Sequence, residues 1–151
     1  MSAHHERKQV AYTPKQMFDL VADVTQYPKF IPWCTALRVI SKEERGYRCY
    51  LCADMVVGYK VFRERFRSEV TLDSEALTIE ARYVDGPLKN LLNQWAFEDD
   101  GKGGCIIDFK IEFEFKNFLM QAAAKQVFDK AFSRMTDAFI ARAEDIYGVK
   151  R

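Results

Sequence analysis

The sequence predicts an α+β fold in which a curved antiparallel sheet of about seven strands packs against a long C-terminal helix. Two patterns support this prediction. Between residues 34 and 116, apolar and polar residues alternate in a series of short runs, which is typical of half-buried antiparallel strands. From Phe118 to Tyr147, apolar residues recur at helical spacing instead. The chain has 151 residues, the length of one ordinary domain, so we expect residues 1–151 to form a single unit.

The N-terminal part predicts one strand followed by two short helices. Residues 3–12 can form the strand. Thr13 is followed by a proline at the first helical position and by Gln16 three residues after the cap, a capping-box pattern that begins a helix over 14–22. A second short helix is expected near 24–29, where prolines break the segment.

The strands that follow are identified by alternation. The clearest is 105–115, where isoleucines and phenylalanines alternate with charged residues. The same pattern predicts strands over 61–72, 77–83 and 91–97, and the β-rich run 47–57 predicts another. These strands are connected by turns rich in glycine and aspartate, so we expect antiparallel neighbours.

The predicted C-terminal helix begins after Asn117, a plausible N-cap, and stops at Gly148. Thirty residues would make it about 45 Å long, whereas the expected radius of gyration of the domain is only about 15 Å. The helix must therefore lie across the whole sheet. A twisted sheet wrapped around one long helix leaves a space between them, and the inward aromatic residues would point into it.

Composition excludes several classes of function. Lys and Arg number 23 against 22 Asp and Glu, a net charge of +1, so binding to nucleic acid by bulk charge is not indicated. No run approaches the roughly 18 apolar residues of a membrane span, and the charged first ten residues do not form a secretory signal. We therefore expect a cytoplasmic protein, with contact to a membrane surface as an alternative, whose four cysteines are free.

The sequence offers few residues for metal binding or catalysis. Cys49 and Cys52 form a lone C-x-x-C inside a predicted strand, where a spacing of three directs the thiols to opposite faces. No second pair exists, and His4 and His5 are the only histidines. Cys34 has no later histidine to act as its base. We expect no metal, no cofactor and no enzymatic activity.

Five segments in this order resemble a known superfamily. They are Tyr27–Cys34 (YPKFIPWC), Gly58–Phe66 (GYKVFRERF), Val84–Pro87 (VDGP), Trp95–Phe97 (WAF) and Phe113–Asn117 (FEFKN). With the order of elements, they resemble the START-like helix-grip fold, and within it the coenzyme Q-binding proteins and the ribosome-association toxin group. The resemblance covers Tyr12 to about Ala143, and one departure is Phe118, where many relatives would have proline.

The resemblance implies a hydrophobic cavity that holds a polyprenyl quinone or similar lipid without chemistry, in support of respiratory electron transfer. The toxin-like relatives imply contact with the large ribosomal subunit instead. A third alternative is an enzyme of the aromatase/cyclase type, which would fold a polyketide in the same cavity. The sequence contains no catalytic constellation that favours the third.

Candidate ligand-binding residues are those on the inward faces of the strands and on the facing side of the long helix. Plain core packing is the alternative for each of them. The predicted set is Trp33, Phe62, Glu64, Phe66, Tyr83, Trp95, Phe109, Phe113, Phe128, Phe132 and Met135.

Glu64 differs from the rest of this set because it is a carboxylate on an apolar face, which it shares with Phe62 and Phe66. An unpaired buried carboxylate is costly and tends to protonate. It would therefore either pair or reach the cavity mouth, or donate from its protonated form to a quinone oxygen.

The opposite face of the same strand carries three arginines, Arg63, Arg65 and Arg67, with Lys60 nearby. One interpretation is a solvated face balanced by carboxylates such as Glu112 and Glu114 on neighbouring strands. The other is docking to anionic lipid headgroups or to ribosomal RNA.

The aromatic, proline-containing segment 27–33 likewise has two interpretations. It packs the short helices on the edge of the sheet, or it forms a gate that touches a bilayer.

Overall fold

An antiparallel sheet with the strand order β1-β7-β6-β5-β4-β3-β2 forms the body of the computed structural model, which describes residues 2–59 and 62–149. Within these residues the α+β fold and the predicted order of elements are confirmed. The strands are β1 (Ser2–Val10), β2 (Cys34–Arg45), β3 (Arg48–Tyr59), β4 (Phe62–Asp73), β5 (Thr78–Asp85), β6 (Leu88–Asp99) and β7 (Cys105–Phe115). The helices are α1 (Pro14–Ala22), a 3₁₀ helix (Val24–Lys29), α2 (Phe118–Ser133) and α3 (Met135–Tyr147).

Strands β2 to β7 pair with their neighbours in the chain, whereas β1 returns to pair with β7 at the far edge. The ladder shifts register at three strand pairs, including the step between Arg67 and Ser68 in β4. Such bulges increase the local twist, which lets the sheet curve around the helices. One face of the sheet is consequently concave and apolar, and the other is charged and wet.

Helix α1 begins as its sequence predicts. The Thr13 hydroxyl accepts from the Gln16 backbone N–H at 3.1 Å, and the Gln16 side chain accepts from the Thr13 N–H at 2.9 Å. Both bonds satisfy N–H groups that have no partner in the first turn of a helix. Met17 and Val21 are completely buried on its inner side, so α1 closes one end of the sheet.

The C-terminal helix differs from the prediction of one 30-residue helix, because it is interrupted at Arg134. There the Arg134 N–H donates to the Ala131 carbonyl at 3.2 Å, a tighter turn than that of an α-helix. The Ser133 hydroxyl donates to the Lys130 carbonyl at 2.9 Å, a bond that competes with the helical backbone. The apolar spacing continues across this point, so the sequence pattern does not reveal the interruption.

An aromatic cluster joins α3 to the rest of the molecule. The buried Phe139 ring lies 5.2 Å from the Tyr27 ring, 5.2 Å from the Phe30 ring and 5.1 Å from the Trp95 ring, in edge-to-face geometry throughout. Such pairs stabilise beyond their buried area. One side chain of α3 thus connects the 3₁₀ helix with the concave face of β6.

Charged residues secure the edge of the sheet where the apolar face ends. On β1, Lys8 pairs with Glu6 at 3.0 Å and also contacts Asp137 in the first turn of α3. Inward charges on an edge strand prevent further strands from adding to the sheet. Within the described residues, no helix is both long enough and apolar enough to cross a membrane.

Phe139→Ala should lower the free energy of unfolding by about 3–5 kcal/mol, because it removes a buried ring and leaves a cavity. Phe118→Ala, the same change at an exposed position of α2, should alter it by no more than about 0.5 kcal/mol. Urea denaturation of both variants measures the difference. A loss below about 1 kcal/mol for Phe139→Ala would contradict the packing described here.

Candidate functional site

A cavity of about 140 Å³ lies between the concave face of the sheet and the C-terminal helices. Strands β2 to β7 form its floor, α2 and the start of α3 form its roof, and the 3₁₀ helix closes one side. Its walls are almost entirely apolar. The lining side chains are Val24, Tyr27, Trp33, Leu37, Ala53, Met55, Val57, Phe66, Ser68, Val70, Ile79, Ala81, Leu91, Asn93, Trp95, Ile111, Phe128, Ala131, Phe132 and Met135.

The space exists because small side chains meet on three adjacent strands. Ala53 of β3 lies directly opposite Ser68 of β4, and Ala81 of β5 lies opposite Val70. All of these side chains face the cavity. A curved sheet whose inner positions were uniformly large would fill this volume, whereas these small residues leave it open beneath α2.

Three lining side chains other than tryptophan carry polar atoms. The Tyr27 hydroxyl donates to the Val21 carbonyl, and burial raises the pKa of this phenol, so it stays neutral. Asn93 donates to the Lys110 carbonyl at 2.9 Å and accepts from the Trp95 indole N–H at 3.0 Å. Within residues 2–59 and 62–149, the Ser68 hydroxyl has no hydrogen-bond partner. Among the hydroxyl and amide groups of the wall, it is therefore the one available to a ligand.

Six residues of the predicted ligand-binding set line the cavity: Trp33, Phe66, Trp95, Phe128, Phe132 and Met135. They come from the loop before β2, from β4 and β6, and from α2 and α3. The structure thus brings together residues that are as much as 102 positions apart in the sequence.

Two predicted aromatics are core residues instead. Phe113 is enclosed by the rings of Phe128, at 5.6 Å, and Phe132, at 5.3 Å. Phe109 is completely buried and lies 4.6 Å from the Trp95 ring. Alternation correctly places both on the inner face, but it cannot distinguish a ring that lines the space from a ring packed behind another ring.

Two further members of the set lie away from the lining, and one is not described. The Tyr83 hydroxyl accepts from the Leu88 N–H at 3.0 Å and so braces the β5–β6 turn. Glu64 is half-buried on the inner face opposite Val57, one inward position beyond Phe66 along β4. The side chain of Phe62 lies outside what the structure describes.

Segment 27–33 packs inward. Tyr27 and Trp33 line the cavity, and Phe30 lies against Phe139 with the Arg142 guanidinium 5.3 Å from its ring centre. The packing interpretation therefore describes its aromatic side chains.

The signal that sequence reasoning missed is the set of small and aliphatic residues at inward strand positions, such as Ala53 and Ala81.

The cysteines do not form a redox or metal site. Cys49 and Cys52 both lie in β3 at positions of opposite parity, and no disulfide joins any of the four cysteines. In the described part of the chain, no three His, Cys, Asp or Glu side chains form a group that could hold a metal ion.

The arginine stripe on β4 pairs with carboxylates of the adjacent strands. Arg67 donates to Asp54 at 2.8 Å and Arg65 donates to the same carboxylate at 2.9 Å, while Arg65 lies 3.5 Å from Asp85. The Arg67 guanidinium, together with that of Arg65, lowers the pKa of the Asp54 carboxyl to about 2 against the opposing effect of burial.

The prediction that Glu112 and Glu114 balance these arginines is wrong. Both are on β7, which is separated from β4 by β5 and β6. Arg63 is exposed, and Lys60 lies outside the described residues. The sequence cannot rank neighbours across a sheet before the strand order is known.

Comparison with known proteins places this architecture in a family. The model of the polyketide cyclase/dehydrase and lipid transport family matches residues 10–140. The chain belongs to that family. A START superfamily protein from Mycobacterium smegmatis has the same fold, with a TM-score of 0.79 at 14% identity over 95% of this chain and 98% of the other. The START-like helix-grip fold expected from the sequence is confirmed.

Family members with closer sequences carry two different names. A ribosome association toxin RatA of Pseudomonas aeruginosa is 34% identical over 98% of this chain and 100% of the toxin. A mitochondrial coenzyme Q-binding protein COQ10 of Drosophila melanogaster is 35% identical over 89% of this chain, which spans 55% of the fly protein. The solution structure of an 18 kDa protein from Caulobacter crescentus aligns with a TM-score of 0.82 at 36% identity, covering 99% of this chain and 100% of the other.

Asp54→Asn should lower the free energy of unfolding at pH 7 by about 1 kcal/mol. The effect is this small because the arginines are partly exposed, so water weakens their attraction to the carboxylate. The pKa of Asp54 is lower in the folded protein than in the unfolded chain, where it is near 3.8. Its stabilisation is therefore present above about pH 4 and is lost as the pH falls towards 2. Denaturation curves at pH 7, 4 and 2.5 should show the gap between variant and wild type closing. Glu43→Gln, in an exposed pair with Arg45, is the control and should show no gap. A constant gap would contradict the assignment.

Proposed function

We propose that this family member binds a ubiquinone-like polyprenyl lipid in the cavity beneath α2. The observation that carries the proposal is an apolar space lined by aromatic and aliphatic side chains, with one unpartnered hydroxyl, that of Ser68, in its wall. The coenzyme Q-binding name of the fly relative supports this choice of ligand class. Respiratory electron transfer is the process in which such a quinone would serve.

The size of the cavity supports a division of the ligand into two parts. A cavity of about 150 Å³ is sufficient for a benzene ring, whereas pockets for drug-sized ligands span about 300–1,000 Å³. The 140 Å³ present here approximates the space needed by an unsubstituted six-membered ring. The isoprenoid tail needs more room, and we infer that it gains this room when α2 moves away from the sheet. The interruption at Arg134 supports such a movement, because a break between the two helices lets α2 move while α3 keeps its contacts with the sheet.

Two contributions would hold the ring. Burial of apolar surface contributes about 25 cal/mol per Å², reduced by the cost of ordering the tail. Hydrogen bonding would come from Ser68, whose hydroxyl would donate to a quinone carbonyl. Trp95 and Phe128 would offer aromatic faces to the ring.

The lining favours binding over catalysis. Among the described residues that face the cavity there is no carboxylate, histidine, lysine, arginine or cysteine. Tyr27 is the titratable group, and its hydroxyl is held by the Val21 carbonyl. General acid–base and nucleophilic mechanisms both need such groups within reach of the substrate.

Ribosome association is the second candidate, favoured by the similarity to RatA over the full length of both chains. The arginine stripe that would contact RNA is largely committed to Asp54, since Arg65 and Arg67 both bond to it. This pairing leaves the two arginines less free to contact RNA, which favours the quinone. The two candidates predict different contents for the protein purified from cells.

Purification from a quinone-producing host tests the function directly. Solvent extraction and mass spectrometry should find a polyprenyl quinone at near-stoichiometric level. The opposite result would be purified protein that carries large ribosomal subunits and no quinone, and that fails to take up quinone in vitro. This result would support ribosome association and reject the proposal.

Ala81→Leu should weaken quinone binding by at least about tenfold, because the larger side chain enters the space that the ring would occupy. Ala96→Leu is the matched control, since Ala96 lies on the outer face of β6. Quenching of tryptophan fluorescence by a short-tailed quinone in detergent measures both affinities. Equal affinities of the two variants would place the ligand elsewhere.

Ser68→Ala should weaken quinone binding by about fivefold, the value of one hydrogen bond of ordinary strength. The same variant should bind a polyprenyl hydrocarbon without carbonyl groups as well as the wild type does. A loss of affinity for both ligands would mean that Ser68 shapes the cavity instead of bonding the carbonyl.

A further inference from the structure

Two adjacent apolar side chains protrude from the start of α2. Phe118 is 85% exposed and Leu119 is 77% exposed, the highest values for large apolar side chains among the described residues. Scattered exposed apolar residues are ordinary on protein surfaces. Two neighbours that are both almost fully exposed form a local apolar protrusion, which requires a separate explanation.

Hydrogen bonds hold this first turn in place. The Asn117 side chain accepts from the Leu119 N–H at 2.8 Å, which caps the helix. The Gln121 side chain accepts from the Phe115 N–H at 2.7 Å and donates to the Ser2 hydroxyl at 3.0 Å. The turn is thereby tied to both β7 and β1, and the apolar pair is presented from a supported position.

Basic residues surround the pair. Lys116 and Lys125 are exposed, and Lys125 lies two helical turns beyond Phe118 on the same side of α2. The Lys116 N–H contacts the Pro87 carbonyl at 3.5 Å, which brings the exposed Lys89 to the same end of the sheet.

Two carboxylates also lie in this region. Glu114 is half-buried and accepts from Asn90 at 3.5 Å. Asp129 is exposed on the same side of α2, but at 1.5 Å per residue it is about 16 Å along the helix from Phe118, against about 10 Å for Lys125. Three exposed lysines and one carboxylate, Glu114, therefore lie in this region, whereas Asp129 lies farther along α2, so the local charge is net positive.

We propose that the start of α2 docks on the surface of an anionic lipid bilayer, with Phe118 and Leu119 inserted at the level of the headgroups. Aromatic and aliphatic side chains favour this interface, and flanking lysines are attracted to anionic headgroups. An RNA base could stack on the Phe118 ring, but it offers no comparable partner for the aliphatic Leu119, so the pair as a whole favours a bilayer. The proposed contact site is therefore the start of α2, whereas the aromatic side chains of segment 27–33 face inward.

The placement has a consequence that rests on the proposed function. The second half of α2 forms the cavity roof through Phe128 and Phe132. A bilayer held at the first half of the same helix would therefore bring the source of a lipid ligand to the movable wall of its cavity.

Flotation with vesicles of phosphatidylcholine and phosphatidylglycerol in a three-to-one mixture, without quinone, tests the docking. The double variant Phe118→Ser, Leu119→Ser should reduce partitioning onto the vesicles by about tenfold or more. The matched control is Ile40→Ser, Tyr47→Ser, which removes two exposed apolar side chains from β2 and the β2–β3 turn and should partition like the wild type. Urea denaturation verifies that both double variants remain folded.

The charge contribution has its own test. Lys116→Glu, Lys125→Glu should weaken binding to the anionic vesicles and leave the weaker binding to pure phosphatidylcholine unchanged. The proposal is overturned if the wild type does not float with the vesicles, or if the Phe118 and Leu119 variant floats as well as the wild type. It is also overturned if sedimentation without vesicles shows that the wild type self-associates through this pair and the variant has lost only that self-association. Quinone binding in detergent should be unchanged in this variant, so failure of the docking and failure of the quinone proposal are separate results.

Discussion

The central constraint on the structure is the burial of one concave, aromatic face of the sheet beneath its helices. The helices pack tightly against part of this face and leave a space over the rest. Phe139 contacts the 3₁₀ helix and β6 together, and so holds α3 firmly against the sheet. At the centre of the sheet the side chains are small, and α2 spans this area without filling it. The cavity therefore forms because α3 is held firmly against the sheet, whereas the strands beneath α2 carry side chains too small to reach that helix.

This arrangement also leaves few polar groups in the cavity wall. Tyr27 and Asn93 bring polar atoms to its wall, but their bonds to carbonyls of the protein satisfy them. Of the hydroxyl and amide groups in the described wall, only the Ser68 hydroxyl has no hydrogen-bond partner. Buried polar groups of this kind are few and specific, because each unsatisfied one costs stability. A single hydroxyl of this kind is suited to orienting a ligand.

The two faces of the sheet separate two kinds of interaction. On the convex face, Asp54 bonds to both Arg65 and Arg67, which makes these two cations part of the fold. At the start of α2, an exposed apolar pair lies near exposed lysines. A near-neutral chain can therefore carry a local region suited to a charged surface, because what matters is where charges lie and which of them are paired.

The sequence by itself determined the elements and the direction in which their side chains face. Alternation marked β7, the capping box marked α1, and helical spacing marked the C-terminal region, because each depends on local geometry. It did not reveal the interruption at Arg134, since the hydroxyl of Ser133 acts without changing the apolar pattern.

Tertiary structure alone decided which inward residues border the cavity. Phe109 and Trp95 face the same way along their strands, yet only Trp95 lines the space. Strand order likewise decided that Asp54, and neither Glu112 nor Glu114, pairs with the arginine stripe. The physical reason is that facing follows from the two-residue period of a strand, whereas depth and pairing depend on contacts between segments that are distant in the chain.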